Sequence, residues 1–181
     1  MNNKENIVVR YNPESVPKIE RRIYIEKFTS VDFDEYYKLV SDENVMSMIT
    51  ERGIPLDEAM KNYNLLLKNN ELHKSFGNFK VIETSTNNFI GSALLRVKEE
   101  SSTEAEIGYM LLPTYWGKGI GGEIARLLID KAKYETQINK ITAIIDPNNT
   151  ASRKILINNG FTSEKVCEMD GLPGEILSRT L

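Results

Sequence analysis

At 181 residues, 40% apolar and 27% charged, the chain has the size and composition of one globular domain with a proper core. A net charge of −3 argues against a generally basic nucleic-acid or membrane surface, and a single cysteine, Cys167, excludes an intrachain disulfide and a cysteine zinc cluster. No signal peptide and no run of about 18 apolar residues is visible, so the expectation is a soluble cytoplasmic protein that binds neither membrane nor nucleic acid.

Residues 1–20 are polar and broken by Pro13 and Pro17, and Ile7-Val8-Val9 reads equally as a short strand or part of a loose arm. Ile23–Phe28 alternates as a first strand. Asp32 is placed to cap a helix ending near Val40, and Asp42–Ile49 reads as a second, short helix. Pro55 suits the first turn of a longer helix to about Asn70. The only histidine, His73, falls in the polar stretch after it and reads as a surface loop residue. Gly77–Glu83 and Phe89–Val97 form an antiparallel hairpin across Ser85-Thr86-Asn87-Asn88, and Thr103–Leu112 is a third strand.

From there the pattern becomes strand, helix, strand, helix. A helix from about Lys118 carries Ile120, Ile124, Leu127 and Leu128 on one face. Ile141–Ile145 is nearly all apolar, as in a strand buried on both faces, and the crossover sets it parallel to Ile107–Leu112. Asn149 is placed to cap a helix through Ile155 and Leu156, which Gly160 ends. Phe161–Glu168 and Glu175–Leu181 close the sheet, with Gly171, Pro173 and Gly174 between them. No repeat or linker divides the chain, so residues 1–181 are expected to be one α/β (α+β) domain: a single mixed, mostly antiparallel sheet with helices on both faces.

The stretch Trp116-Gly117-Lys118-Gly119-Ile120-Gly121-Gly122 lies between a strand and a helix. Glycine lets a backbone turn tightly and approach a ligand, and the free N–H groups and dipole of a helix N-terminus attract phosphate. The segment formally matches the dinucleotide fingerprint G-x-G-x-x-G, with Asp146 ending the next strand. A dinucleotide domain, however, usually begins with that unit, whereas here an antiparallel meander precedes it. No Gly-Lys is followed by the serine or threonine of a P-loop.

At this point the sequence resembles the GNAT superfamily of acetyl-CoA-dependent N-acetyltransferases. Trp116-Gly117-Lys118-Gly119-Ile120-Gly121 occupies their Gln/Arg-x-x-Gly-x-Gly/Ala signature, with tryptophan in place of its first residue. Tyr115-Trp116-Gly117-Lys118-Gly119 is similar to the ribosomal-protein alanine acetyltransferase (RimJ/RimL-like) branch. So are Asn149-Thr150-Ala151-Ser152 followed by Gly160-Phe161, Glu106-Ile107-Gly108-Tyr109, and Phe89-Ile90-Gly91. The resemblance spans about residues 22–170.

It implies a sheet whose parallel pair splays apart to admit the pantetheine arm of acetyl-CoA, with free backbone groups of Met110, Leu111 and Leu112 against it. Gly117, Lys118, Gly119, Ile120, Gly121 and Gly122 would hold the pyrophosphate, Asn149 and Ser152 would contact the cofactor, and Lys118, Arg153 or Lys154 would reach the 3′-phosphate. The implied reaction is direct attack of a primary amine, on a protein N-terminus or a small molecule, upon the thioester. It needs a base, an oxyanion donor and an acid for the departing thiolate. Glu106 is the leading base, with Glu104, Glu168, Asp170 and Glu51 as alternatives. Ser152 is the candidate acid, because the family's acidic tyrosine position is Leu156 here. Tyr109, Tyr115 and Trp116 line the groove or pack beside it. No metal is expected, Cys167 is not expected to act as a nucleophile, and a homodimer is a family-level expectation. The competing readings are a silent CoA-binding protein of the same fold and an NAD-binding oxidoreductase.

Overall fold

A computed structural model of the chain describes residues 21–181. The proposed strand or arm at residues 1–20 lies outside the described residues. In chain order the elements are β1 (Ile23–Lys27), α1 (Phe33–Val40), α2 (Glu43–Met46), α3 (Leu56–Leu72), β2 (Gly77–Glu83), β3 (Phe89–Arg96) and β4 (Glu104–Leu111). A 3-10 turn, Pro113–Tyr115, follows, then α4 (Ile120–Lys133), β5 (Lys140–Ile145), α5 (Thr150–Asn158), β6 (Thr162–Met169) and β7 (Leu172–Thr180). One sheet of seven strands runs in the order β1-β2-β3-β4-β5-β7-β6, and every neighbouring pair is antiparallel except β4 with β5. The expected mixed sheet with helices on both faces is therefore the fold.

Each face has its own core. Ala105, Ile107 and Leu111 of β4 and Ile141 and Ala143 of β5 pack beneath Ile120, Ile124 and Leu128 of α4 and Leu156 of α5. Those α4 positions recur at helical spacing, while Leu127 stays at the rim, half-buried. The second core joins Phe28, just after β1, with Tyr36 and Leu39 of α1, Val45 of α2, Ile54 of the following loop, and Ala59 and Tyr63 of α3.

Four sequence expectations change. Asp32 caps nothing with its side chain; its carboxylate accepts from Thr29 N and Oγ1 and from Lys80 Nζ, each at 2.7 Å. A buried carboxylate takes a cation and its hydrogen bonds in preference to a solvated helix end. The second helix stops at Met46, short of Ile49. The last hairpin turns tightly at Asp170-Gly171, both at positive φ (52° and 82°), so β7 begins at Leu172 rather than Glu175. Pro173 is accommodated there because the β5 ladder begins only at Glu175, so no β5 carbonyl loses a donor. Finally, β5 is not buried throughout: Ile141 and Ala143 are, but Ile144 is 41% exposed. The reason is the divergence of β5 from β4.

Candidate active site

The β4–β5 ladder comprises Glu104 with Lys140, Ala105 with Ile141 and Glu106 with Thr142, and ends there. Beyond Glu106, β4 continues to Leu111 against β3, while β5 continues to Ile145 against β7. The two strands thus part in the middle of the sheet. A cavity of about 270 Å³ fills the parting, lined by Glu106 to Met110, Ala143 to Ile145, Asn149, Ser152 and Leu156, with Met48 and Ile49 at one side. A larger, more open hollow of about 650 Å³ between α4, the end of α5 and β7 holds none of the expected site residues.

The ladder with β3 decides which backbone groups face the gap. Leu112 N donates to Ile90 O at 3.0 Å, and Met110 lies opposite Ser92. Antiparallel bonding alternates along a strand, so Met110 and Leu112 spend their backbone groups on β3 while Tyr109 and Leu111 turn theirs toward the gap. The expected trio is therefore split: the Met110 side chain lines the cavity, but the backbone facing it belongs to Tyr109 and Leu111. The Leu111 carbonyl is already engaged, since the Trp116 indole N–H donates to it at 2.8 Å. This gives Trp116 a structural purpose: it folds the glycine turn back onto the end of β4.

The turn itself has Gly117 and Gly119 at φ 72° and 78°, a region closed to most side chains. Helix α4 starts at Ile120, two residues later than the sequence suggested, with Gly119 as a cap that offers no side chain. The N–H groups of Ile120, Gly121 and Gly122 therefore stay unsatisfied by the helix, an arrangement that suits an anion. Arg22 holds the outer side, its Nε 2.6 Å from Glu123 Oε1 and its Nη1 3.2 Å from Lys118 O. Gly121 admits the Tyr109 ring: a Cβ there would stand 3.3 Å from it and 3.0 Å from Ile155. The cradle is thus packed directly against β4.

Asn149 caps α5 as expected, its Oδ1 accepting from Ser152 N at 3.0 Å, and both residues line the cavity. Glu106 also lines it, but its carboxylate is clasped by Arg96, with Nη2 2.9 Å and 3.1 Å from the two oxygens and Nε at 3.2 Å. The other carboxylates are elsewhere. Glu104 is exposed and meets Lys140 at 3.5 Å, while Glu51, Glu168 and Asp170 are exposed and outside the cavity lining. Of the three cations considered for a phosphate, Lys118 stands over the Tyr115 ring at 5.2 Å and Lys154 is exposed. Arg153 is committed to Glu175, an almost wholly buried carboxylate 3.0 Å away. A hydrogen bond from Ser163 lowers the pKa of Glu175; burial opposes this, and Arg153 adds to the lowering.

Leu156, at the position of the family's tyrosine, is a buried apolar wall of the cavity. From the sequence, Tyr109 either packs beside the groove or lines it. It does both, and its hydroxyl is sealed from solvent with no hydrogen-bond partner. The contributions of Arg96, Arg22 and Glu175 carry no local sequence signal, because each acts across a large chain separation or from a neighbouring strand. Among the described residues no cluster of histidine, cysteine and carboxylate groups suits a metal, and no helix is long and apolar enough to cross a membrane. His73 ends α3 away from the cavity, and Cys167 is a free thiol on β6.

A mixed sheet opened at the parallel pair among its described strands, with a glycine turn at one end of the opening, suits an extended, phosphate-bearing ligand laid between β4 and β5. Residues 22–162 match the model of the acetyltransferase (GNAT) domain. The chain belongs to that family, a family of acetyl-transferring enzymes. It is 27% identical over 143 residues to the uncharacterized N-acetyltransferase p20 of Bacillus licheniformis, covering 79% of this chain and 80% of the relative. Among solved structures, a GNAT-family acetyltransferase from Bacillus anthracis superposes with a TM-score of 0.74 at 22% identity, over 88% of this chain and 95% of that one. A spermidine N-acetyltransferase from Vibrio cholerae, in complex with CoA and spermine, does so with a TM-score of 0.71 at 19% identity, over 88% and 95%.

Proposed function

We propose that the chain transfers the acetyl group of acetyl-CoA to a primary amine by direct attack, as a member of the RimJ/RimL-like branch. The observation that carries this reading is the convergence of Glu106, Asn149, Ser152 and the free edge of β4 on one cavity beside the glycine cradle. The pyrophosphate would rest on the N–H groups of Gly117 to Gly122. The pantetheine arm would follow the backbone of Tyr109 and Leu111, and the thioester would lie between Glu106 and Ser152. A backbone N–H of β4 would stabilise the oxyanion. Glu106, oriented by Arg96, would take the amine proton, directly or through water, and Ser152 would protonate the thiolate.

The acceptor class is a small-molecule amine or a protein N-terminus. The spermine bound by the Vibrio cholerae enzyme supports including polyamines among the candidates.

One observation favours a second reading, a CoA-binding protein without turnover: Arg96 occupies both oxygens of Glu106, the only carboxylate among the described residues lining the cavity. Thiol release from acetyl-CoA across polyamines, aminoglycosides and short peptides separates the two. Turnover that Glu106→Gln reduces about 100-fold, with CoA affinity unchanged, is the expected result. CoA binding with no thiol release on any amine establishes the second reading. Stabilisation by NAD and none by CoA overturns both.

A further inference from the structure

The only buried side-chain polar atom without a partner among the described residues is the hydroxyl of Tyr109. The phenol sits on β4 with its ring against Gly121, and Ser152 lines the same cavity from the start of α5, its side chain beside the phenol but outside hydrogen-bond geometry. A buried hydroxyl left unpaired is costly, and the packing here would be served as well by phenylalanine. Serine, by contrast, is a poor acid on its own, whereas a phenol, with an ordinary pKa near 10, is far closer to a thiol near 8.5.

We infer that Tyr109 supplies, through the Ser152 hydroxyl, the proton that the departing CoA thiolate takes up, replacing from β4 the tyrosine that α5 lacks at Leu156. This rests on the acetyl-transfer reading. As the tetrahedral intermediate collapses, the C–S bond breaks and its electron pair stays on sulfur. The thiolate takes the Ser152 Oγ proton, and Ser152 takes the phenolic proton. As products leave and water enters the cavity, Ser152 takes up a proton and passes one back to the phenolate, balancing the one the amine gave to its base. Burial raises the Tyr109 pKa and the Ser152 contact only partly offsets this, so the phenol holds its proton through neutral and mildly alkaline pH. Because it acts through Ser152, Tyr109 is a positioning and relay residue.

Tyr109→Phe removes an atom that bonds to nothing, so the variant is expected to melt no lower than wild type and to bind CoA with unchanged affinity. Its kcat is expected to fall about 10- to 100-fold at unchanged KM for acetyl-CoA. Tyr109→Phe added to Ser152→Ala costs no more, since one relay is already broken. Fluorotyrosine at position 109 should restore turnover and move the alkaline limb of kcat to lower pH, which a packing role would not do. Slow hydrolysis of bound acetyl-CoA breaks the same C–S bond and reads the relay without an amine. Wild-type turnover matched within twofold by Tyr109→Phe, or an equal loss in the Ser152→Ala background, overturns this inference and leaves acetyl transfer standing. CoA binding with no thiol release by amine or water overturns both.

Discussion

Alanine at Gly91 should damage the proposed cofactor groove from behind, by pushing on the backbone of β4. Gly91 sits opposite Leu111 in the β3–β4 ladder, and a Cβ there would stand 2.2 Å from Met110 O and 3.0 Å from Leu111 Cα. A carbon–oxygen contact needs about 3.3 Å, so β4 must retreat by about 1 Å at the end that borders the cavity. The neighbours are backbone, which cannot rotate away, so a cost of about 2–3 kcal/mol is expected, the upper part of the range for overpacking. In a domain of this size that lowers the melting temperature by about 4–12 °C. A 1 Å displacement of groups that position a substrate can reduce turnover by up to about 100-fold. Gly108→Ala is the control for stability: its Cβ would meet only Leu94 side-chain atoms, the nearest at 3.7 Å, so its melting point should match wild type within about 2 °C. Thermal melts and acetyl-CoA kinetics on both variants decide the matter. A Gly91→Ala protein that melts with wild type and keeps its KM and kcat refutes the claim that β4 is held in place by this close approach.

Three further outcomes are expected. Burial pushes the Asp32 carboxyl up, but hydrogen bonds from Lys80 and Thr29 outweigh it and hold it below the ordinary range; Glu175 is lowered as well. Depressed carboxylates contribute stability that is complete above their unfolded pKa, near 4, and is lost as pH falls through their folded values, so melting temperature should drop steeply below about pH 4. Asp32→Asn should flatten that drop and cost about 3 kcal/mol at neutral pH, because it leaves Lys80 buried with only Glu26, 2.8 Å away; an unchanged acid profile contradicts the assignment. Trp116→Phe removes the indole donor to Leu111 while much of the ring is already exposed, so a loss of about 1 kcal/mol and weaker CoA binding are expected by melts and calorimetry. Unchanged CoA affinity would show that the indole contact does not shape the cradle.

What was legible in the sequence followed from local chemistry. The apolar spacing of Ile120, Ile124 and Leu128 and the capping position of Asn149 depend on neighbours a few residues apart, and both hold in the fold. The glycine turn was legible for the same reason. The rest depends on strand order and register. Which of Met110, Leu111 and Leu112 faces the gap follows from the parity of the β3 ladder, and Arg96 reaches Glu106 because they are register partners. The sequence offers Arg153 as one of three candidate phosphate cations, and its pairing with Glu175, 22 residues away, is not visible there because it forms only when β7 inserts beside β5. The exposure of Ile144 likewise arises from a strand divergence that no five-residue window records.

The insertion of β7 between β5 and β6 also bears on how the protein is made. Strand β5 is tied to β4 through three residue pairs but to β7 through six. During synthesis, β1 to β4 and α4 can assemble as soon as they emerge, whereas β5 has only its short ladder until β7 arrives. A nascent chain in that interval exposes an apolar strand edge, the kind of surface that recruits other chains. The wall that carries Ile144, Ile145 and the start of α5 is therefore the last part of the pocket to be secured. A stalled or truncated product lacking β7 should present the cradle but no closed gap, and should self-associate.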